Sequence, residues 1–179
     1  MIIIINGPSG SGKTTLGNYF GELGLKEIVS TTTRPPREGE IDGISYYFVT
    51  EEEFLAADRI EESLYSGHYY GVTRAEVEAK VGDGQSAYAS LDINGVKRFK
   101  ELYPEDTIVL YLKVSRTLIK KRMARRGDSV ENIRRRLAHH RQTREDLNHR
   151  FADYIIYNHG SLKNLKNQGL EVLKREGIL

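Results

Sequence analysis

The sequence predicts an α/β fold built around a largely parallel sheet. Two observations carry this prediction: short β-rich runs alternate with helical stretches along the chain, and the first strand is apolar at four consecutive positions. A strand without polar alternation is typical of the centre of a parallel sheet, where both faces are buried. The 179 residues suit one domain with a full-sized core, with room for a small insertion.

The elements of the first half follow from local patterns. Ile2–Asn6 is predicted as the central strand, and Lys13–Leu23 as a helix that ends at Gly24. Glu51–Ala57 and Arg74–Val81 have the composition of short helices on either side of an irregular middle section.

The second half continues the alternation. Ala87–Asp92 and Ile108–Lys113 are predicted strands, each followed by a helix, and Tyr154–Tyr157 is the last strand. Ser161 is placed to cap a final helix that runs towards Arg175. No repeat, low-complexity tract or linker divides the chain.

A basic block stands out at residues 116–150, which contain 12 Lys/Arg against 4 Asp/Glu, although the whole chain has a net charge of only +2. Asp128 and Glu131 have the spacing of a capping box in front of a long basic helix within it. Such a block favours contact with polyanions, namely nucleotide phosphates, nucleic acid or an anionic surface. A solvated helix face is the alternative.

A Gly-rich turn follows the first strand and reads Gly-Pro-Ser-Gly-Ser-Gly-Lys-Thr at residues 7–14. It fits G-x-x-x-x-G-K-[ST] in full, between an apolar strand and a helix. Glycines let backbone N–H groups point at phosphate oxygens, Lys13 brings a cation to the β- and γ-phosphates, and the Thr14 hydroxyl can ligate Mg²⁺. The ATP-binding residues are therefore predicted to be Gly7, Ser9, Gly10, Ser11, Gly12, Lys13, Thr14 and Thr15.

Two arginines lie three residues apart in a segment stiffened by two prolines. Because the prolines fix the backbone, Arg34 and Arg37 can converge on one anion at small entropic cost, and guanidinium groups bind a terminal phosphate bidentately. Two pairs of tyrosines follow, at residues 46–47 and 69–70, and a tyrosine hydroxyl can donate to the same phosphate. On its own this region is also compatible with a surface hairpin carrying scattered charges.

Taken together, these segments resemble those of guanylate kinases. The matching order and spacing cover residues 7–14, 30–43, 67–71 and 91–95, and the similarity runs from Met1 to about Asn158. The resemblance implies a P-loop NTPase-type fold with a five-stranded parallel sheet flanked by helices, a small mixed β/α GMP-binding insertion and a helical lid. Its implied division is a core at 1–30, 86–119 and 151–179, an insertion at about 31–85 and a lid at about 120–150.

The resemblance also implies roles for single residues. The positions that hold the GMP phosphate match Arg34, Arg37, Tyr46 and Tyr70, and those around the guanine base and the acceptor match Ser30, Glu61 and Asp92. A carboxylate suits guanine, whose N1–H and 2-amino group form a donor pair that adenine lacks. The lid arginines match Arg122, Arg126 and Arg136. The expected catalytic set is Lys13, Arg34, Arg37, Arg122, Arg126 and Arg136, because phosphoryl transfer needs positioning and charge neutralisation.

The expected reaction is transfer of the γ-phosphate of ATP to GMP, and to dGMP, with Mg²⁺. Val72 stands where the family has a base-binding Ser or Thr, and Ser90 replaces the first of two common aspartates. These departures keep open a kinase of the same architecture acting on another phosphorylated acceptor. A phosphopeptide-binding guanylate-kinase-like module is a second alternative, which the intact P-loop disfavours, and nucleic-acid binding through residues 116–150 is a third.

The surroundings of the protein are predicted from what the sequence lacks. It has no cysteine, which excludes a disulfide scaffold and a thiolate zinc site. No apolar run approaches the roughly 18–20 residues of a membrane span, and the opening apolar run lacks the basic leader of a signal peptide. We therefore expect a cytoplasmic protein, as a monomer or homodimer, with ATP and GMP as substrates and neither a membrane nor a nucleic-acid partner.

Overall fold

The computed structural model describes residues 1–65, 67–82 and 84–179, in which strands and helices alternate. The strands are β1 (Ile2–Asn6), β2 (Lys26–Glu27), β3 (Thr31–Thr32), β4 (Tyr47–Phe48), β5 (Arg59–Tyr65), β6 (His68–Thr73), β7 (Ala87–Ser90), β8 (Thr107–Lys113) and β9 (Tyr154–Tyr157). The helices are α1 (Lys13–Glu22), α2 (Glu51–Ala56), α3 (Arg74–Val81), α4 (Ile93–Leu102), α5 (Arg116–Arg125), α6 (Val130–Gln142) and α7 (Leu162–Arg175), and a 3₁₀ helix spans Glu145–Phe151. None of the helices in these ranges is both long and apolar enough to cross a bilayer.

The core is a five-stranded sheet in the order β2-β7-β1-β8-β9, and all of its pairings are parallel. In β1 at its centre, Ile3 and Ile5 face a cluster with α1 and α7, while Ile2 and Ile4 face a cluster with α4. Helices therefore cover both faces, which explains why β1 carries no polar alternation. The α/β fold and the five-stranded parallel sheet predicted from the sequence are confirmed.

Most element boundaries lie within two residues of the predicted ones, and two of the helix starts have clear causes. β7 ends at Ser90 rather than Asp92, because the Asp92 side chain accepts from the backbone N–H groups of Asn94 and Gly95 and so caps α4. The final helix is capped by Ser161, whose side chain accepts from the Asn164 N–H, as predicted.

The predicted cap of the long basic helix is wrong by one residue. Ser129 takes that place, since its hydroxyl accepts from the Asn132 N–H at 3.2 Å and α6 begins at Val130. Asp128 is instead engaged by the guanidinium of Arg126, with 2.5 Å between Nη2 and Oδ2. The ion pair removes the carboxylate from capping, and the neighbouring serine supplies the oxygen that the helix terminus needs.

A second sheet of four strands, in the order β4-β3-β6-β5, lies between β2 and β7 in the chain. β3 pairs with β4 in parallel and with β6 antiparallel, so this sheet is mixed. Its strands send Ile60 and Val72 into the cluster on the α4 side of the core. The chain leaves the core after β2 and returns at β7, and these two strands are hydrogen-bonded neighbours.

Helices α5 and α6 follow β8 and form a unit with a small core of their own. Ile119 and Met123 from α5 pack against Ile133 from α6, and all three are at least 94% buried. Within this unit most basic side chains are exposed, so the basic block is largely a solvated surface around a few inward-facing arginines.

Candidate active site

A cavity of about 700 Å³ lies at the carboxyl edge of the core sheet, between the P-loop, the four-stranded sheet and helices α5 and α6. In parallel α/β sheets this edge is where ligands bind. The predicted site residues that line it are Gly7, Ser9, Lys13, Ser30, Arg34, Arg37, Tyr46, Glu61, Tyr70, Asp92 and Arg136. The predicted residues that do not line it are Gly10, Ser11, Gly12, Thr14, Thr15, Arg122 and Arg126.

The P-loop has the backbone that its glycines make possible. Gly7, Gly10 and Gly12 have φ values of +145°, +79° and +105°, which L side chains rarely adopt. The Lys13 ammonium folds back over the loop and donates to the carbonyl of Gly7 at 2.7 Å and to that of Pro8 at 3.3 Å. Burial lowers the pKa of Lys13 to about 8, while the Glu145 carboxylate raises it and Arg136 lowers it further. The cation is thus held where a phosphate can replace its carbonyl partners.

The residues just after Lys13 lie outside the cavity. Thr14 and Thr15 are exposed on the first turn of α1, whereas the side chain of Ser11 is buried under the loop. The exposed hydroxyl of Thr14 is a hard oxygen donor, of the kind that Mg²⁺ accepts beside waters and phosphate oxygens. The donor set at this helix start therefore fits a magnesium ion that arrives with a nucleotide.

Arg122 lies behind the P-loop rather than in the cavity. Its guanidinium donates to the carbonyls of Gly10 and Ser11 at 3.4 and 3.3 Å, and to the side-chain oxygen of Asn158 at 3.0 Å. The Asn158 amide in turn donates to the Ser11 carbonyl at 2.6 Å. Sequence reasoning missed Asn158, although its place directly after the last strand, at the carboxyl edge of the sheet, is a usable signal.

The two remaining lid arginines are arranged around Asp128. Arg136 reaches the P-loop, where its Nη1 donates to the Ser9 hydroxyl at 2.8 Å, and its Nη1 lies 4.0 Å from the Asp128 carboxylate. Arg126 is paired with Asp128 and does not line the cavity. The hydrogen bond and charge of Arg126 lower the pKa of Asp128, with a further contribution from Arg136. Of the three predicted lid arginines, only Arg136 lines the cavity in this conformation.

On the opposite wall, Arg34 is at the centre of a cluster of aromatic and charged groups. Its Nε donates to the Tyr70 hydroxyl at 3.2 Å, its Nη2 donates to the Glu40 carboxylate, and its guanidinium lies 5.5 Å from the centre of the Tyr46 ring. Arg37 is exposed beside it. Burial raises the pKa of Tyr46, so its hydroxyl stays protonated and available as a donor. This wall can bind one phosphate group through several donors.

The carboxylates of Glu61 and Asp92 both line the same cavity. The pKa of Glu61 on β5 is raised to about 8, mainly by burial and then by the charges of Asp92 and Glu62. A partly protonated carboxyl in a polar cavity is a candidate for recognising a donor pair, because binding such a ligand stabilises its ionised form.

Val72 and Ser90, the two positions at which the sequence departs from the family pattern, lie in different places. Val72 is fully buried in the core, and Thr73 caps α3 by accepting from the Glu76 N–H, so neither supplies a hydroxyl to the cavity. Ser90 lines the cavity next to Asp92. The hydroxyl that the family places after its Tyr-Gly pair is therefore not replaced by a neighbour.

Four buried side-chain polar atoms have no hydrogen-bond partner among the described residues: Asn6 Oδ1, Ser11 Oγ, Arg136 Nε and His140 Nδ1. Three of these residues line the cavity, and the fourth belongs to the P-loop. Because buried polar atoms are normally paired, their concentration here indicates that the cavity is built for a polar ligand. Sequence reasoning missed Asn6 and His140; His140 could have been found because it lies one turn after Arg136 on the same helix face.

A loop able to hold the phosphates of ATP shares one cavity with an arginine-tyrosine wall able to hold a second phosphate. That combination defines a P-loop kinase with a phosphorylated acceptor. The sequence profile of the family described as "Guanylate kinase" matches residues 1–168, and the chain belongs to the guanylate kinase family.

Individual relatives agree with this assignment. The guanylate kinase of Helicobacter pylori strain ATCC 700392 / 26695 is 37% identical over 164 residues, which cover 88% of this chain and 79% of the relative. The guanylate kinase of Symbiobacterium thermophilum is 37% identical over 166 residues, which cover 88% of this chain and 77% of the relative.

Among solved structures, the guanylate kinase of Anaplasma phagocytophilum matches with a TM-score of 0.71 and 26% identity, over 100% of this chain and 87% of that one. The shikimate kinase of Acinetobacter baumannii matches with a TM-score of 0.51 and 18% identity, over 98% of this chain and 92% of that one. At this low identity the match shows a shared fold and nothing more.

Proposed function

We propose that the protein transfers the γ-phosphate of ATP to GMP, and to dGMP, to form ADP and the corresponding diphosphate. The observation that carries this proposal is the shared cavity, which Lys13 of the P-loop lines on one side and Arg34 and Arg37 line on the other. Glu61 adds the base preference, since its carboxylate can accept from both N1–H and the 2-amino group of guanine. Membership of the guanylate kinase family supports the same reaction.

The proposed catalysis is by positioning and charge neutralisation. Arg34 and Arg37, with the hydroxyls of Tyr46 and Tyr70, aim the acceptor phosphate, and Ser30, Glu61 and Asp92 hold the base and the acceptor. Lys13 and Arg136 neutralise the charge that develops on the transferring group. Arg122 and Arg126 contribute when the lid moves further, because their present partners keep them outside the cavity. The backbone of residues 7–15 holds the donor phosphates.

Magnesium and the division of the chain belong to the same proposal. Mg²⁺ would be held by the Thr14 hydroxyl together with the nucleotide, and it would withdraw charge from the phosphate oxygens. The core, the acceptor-binding insertion at about 31–85 and the lid at about 120–150 are then its three working parts. We place the reaction in the cytoplasm, where ATP and GMP are held, and fractionation of cells would test this.

The test is an ADP-release assay with ATP and Mg²⁺ against GMP, dGMP, AMP, CMP, UMP and IMP. Turnover with GMP and dGMP far above the other acceptors supports the proposal and shows that the core-facing Val72 is tolerated. Activity spread over several acceptors would mean a relaxed base site, which the missing hydroxyl at this position would explain. Absence of turnover with every acceptor would overturn the proposed reaction.

A further inference from the structure

The proline-containing segment that carries Arg34 and Arg37 ends in an acidic residue, Glu40, which does not line the cavity. We propose that Glu40 is a positioning residue, which holds Arg34 and the backbone of Arg37 from behind in the orientation that an acceptor phosphate requires. The inference rests on the proposed function, because it assigns a role towards the same acceptor.

The contacts of Glu40 join both arginines of the wall. Both of its carboxylate oxygens lie within hydrogen-bonding distance of Arg34 Nη2, at 2.9 and 3.0 Å. One of these oxygens also accepts from the backbone N–H of Arg37 at 2.7 Å. A single carboxylate therefore fixes one arginine by its side chain and the next by its main chain.

A tight turn brings the carboxylate back to this place. The Glu40 N–H donates to the Arg37 carbonyl at 3.0 Å, and Gly39, third in the turn, has φ of +82°. These features fit a turn of type II, which requires a positive φ at its third residue and so favours glycine there. The turn and the carboxylate bond reinforce each other, since the same two residues are bonded in both directions.

The position of Glu40 favours support over competition with a ligand. The Arg34 Nε is engaged by Tyr70 and one Nη1 hydrogen by the Pro35 carbonyl, while Glu40 bonds Nη2. A guanidinium has five N–H groups, so at least the second N–H of Nη1 remains for a phosphate. Arg34 lines the cavity and Glu40 does not, so the ligand and the carboxylate approach the guanidinium from different sides.

The charge of the buried Arg34 side chain explains why a carboxylate is needed at this place. The Arg34 side chain is only 9% exposed, and a buried cation without a partner is costly, so an empty site needs an internal counter-charge. Burial alone would raise the pKa of Glu40, but hydrogen bonds from the Arg37 amide and from Arg34 lower it, so the group is ionised at neutral pH. Without Glu40, Arg34 would keep the neutral partners Tyr70 and Pro35 but would lose its counter-charge until an acceptor phosphate binds.

The test compares Glu40→Ala and Glu40→Gln with Glu38→Gln, an exposed neighbour in the same turn that makes no hydrogen bond or ion pair within the described part of the chain. We expect Glu40→Ala to raise the KM for GMP about tenfold, which corresponds to roughly 1.4 kcal/mol. The change in Glu40→Gln should be smaller, because the amide oxygen can still accept one bond. The KM for ATP and the kcat should stay near wild-type values in both, and Glu38→Gln should leave all three constants unchanged.

Guanosine, which has no phosphate, separates this role from a general loss of structure. A general loss of structure would weaken the binding of guanosine as well as that of GMP. Its binding, measured by calorimetry, should be the same in wild type and Glu40→Gln, while GMP binding weakens. An unchanged or lower KM for GMP in Glu40→Ala would overturn the inference, as would equal weakening of GMP and guanosine. If wild type binds GMP but transfers no phosphate to it, the proposed function fails while the binding comparison still decides the role of Glu40.

Discussion

At the scale of single residues, Lys13 offers the most direct test of the active site. Its ammonium lies against two P-loop carbonyls and makes no other hydrogen bond in the described part of the protein. Lys13→Ala should therefore leave the fold intact while lowering kcat by about 10²–10³-fold, the usual cost of one charge-stabilising donor. Steady-state turnover together with the melting temperature measures both, and Lys26→Ala, an exposed lysine on the far edge strand, is the control.

Retained full turnover in Lys13→Ala, with Lys26→Ala also fully active, would remove Lys13 from the catalytic set. A large drop in the melting temperature would instead assign it a mainly structural role.

The raised pKa of Glu61 predicts that acceptor binding depends on pH. Burial and the neighbouring carboxylates raise its pKa to about 8, so the empty site holds it largely protonated at pH 7 and ionised at pH 9. Guanine offers two N–H donors, which require the ionised form, so GMP binding should tighten as pH rises from 7 to 9 and should itself lower the pKa of Glu61. The measurement is the KM for GMP across this range, where the acceptor phosphate stays doubly ionised.

Two variants show whether the dependence belongs to Glu61. Glu61→Gln should bind GMP more weakly and with a flat profile between pH 7 and 9. Glu62→Gln removes a charge from the adjacent residue, which is paired with Arg59, and should keep most of the slope. A slope that survives in Glu61→Gln would contradict the assignment.

At the scale of elements, we expect the proposed lid to act through one face of α6. Arg136 donates to the P-loop Ser9, whereas Arg134 two residues earlier is exposed on the same helix without a hydrogen bond or ion pair among the described residues. Arg136→Ala should lower kcat by about 10²-fold or more, because it removes a cation aimed at the transferring group, while the KM for GMP changes little.

The matched variant Arg134→Ala removes the same charge from the outer face of α6. It should keep kcat within about a factor of two of wild type, since exposed charges contribute little. Equal losses in the two variants would mean that the lid acts through its overall charge rather than through the inward-facing arginine.

At the scale of the whole molecule, binding of both substrates should stabilise the fold. A ligand at 100 times its Kd adds about 2.7 kcal/mol of stability, and for a chain of this size each kcal/mol raises the Tm by roughly 2–4 °C. ADP with GMP, a pair that cannot react, should therefore raise the Tm by about 5–10 °C or more in thermal unfolding. An equal shift with ADP and CMP would contradict the predicted base preference.

The parts of the fold that sequence reasoning predicted are those whose signal is local. β1 and the P-loop are adjacent in the chain, and the Ser161 cap lies next to its helix. The two-residue strands β3 and β4 are too short to show alternation, and the partners that hold them are far away in the chain. The site residues that the sequence left out include Asn158, which bonds a distant loop, and Glu40, whose partners are close in the chain but meet it only when the turn has folded.

The Asp128 cap shows a different limit. Both Asp128 and Ser129 are good capping residues, and the local sequence does not separate them. The choice depends on Arg126 and Arg136, one of which comes from a later turn of the helix that the cap begins. The close ion pair with Arg126 therefore engages the Asp128 carboxylate and leaves Ser129 to cap the helix.

The way in which the second sheet is attached to the core has a consequence for the evolution of such enzymes. The chain leaves through β2 and returns through β7, and Lys26 and Glu27 pair directly with Ala87 and Tyr88. The entry and exit of the whole insertion are thus one strand spacing apart, about 4.8 Å. A segment with joined ends of this kind can change in length without altering a register in the core sheet, provided that the apolar contacts of Ile60 and Val72 with the core are kept. If acceptor specificity lies in this insertion, as we propose, grafting the insertion of a kinase with another acceptor between these two strands should change the substrate.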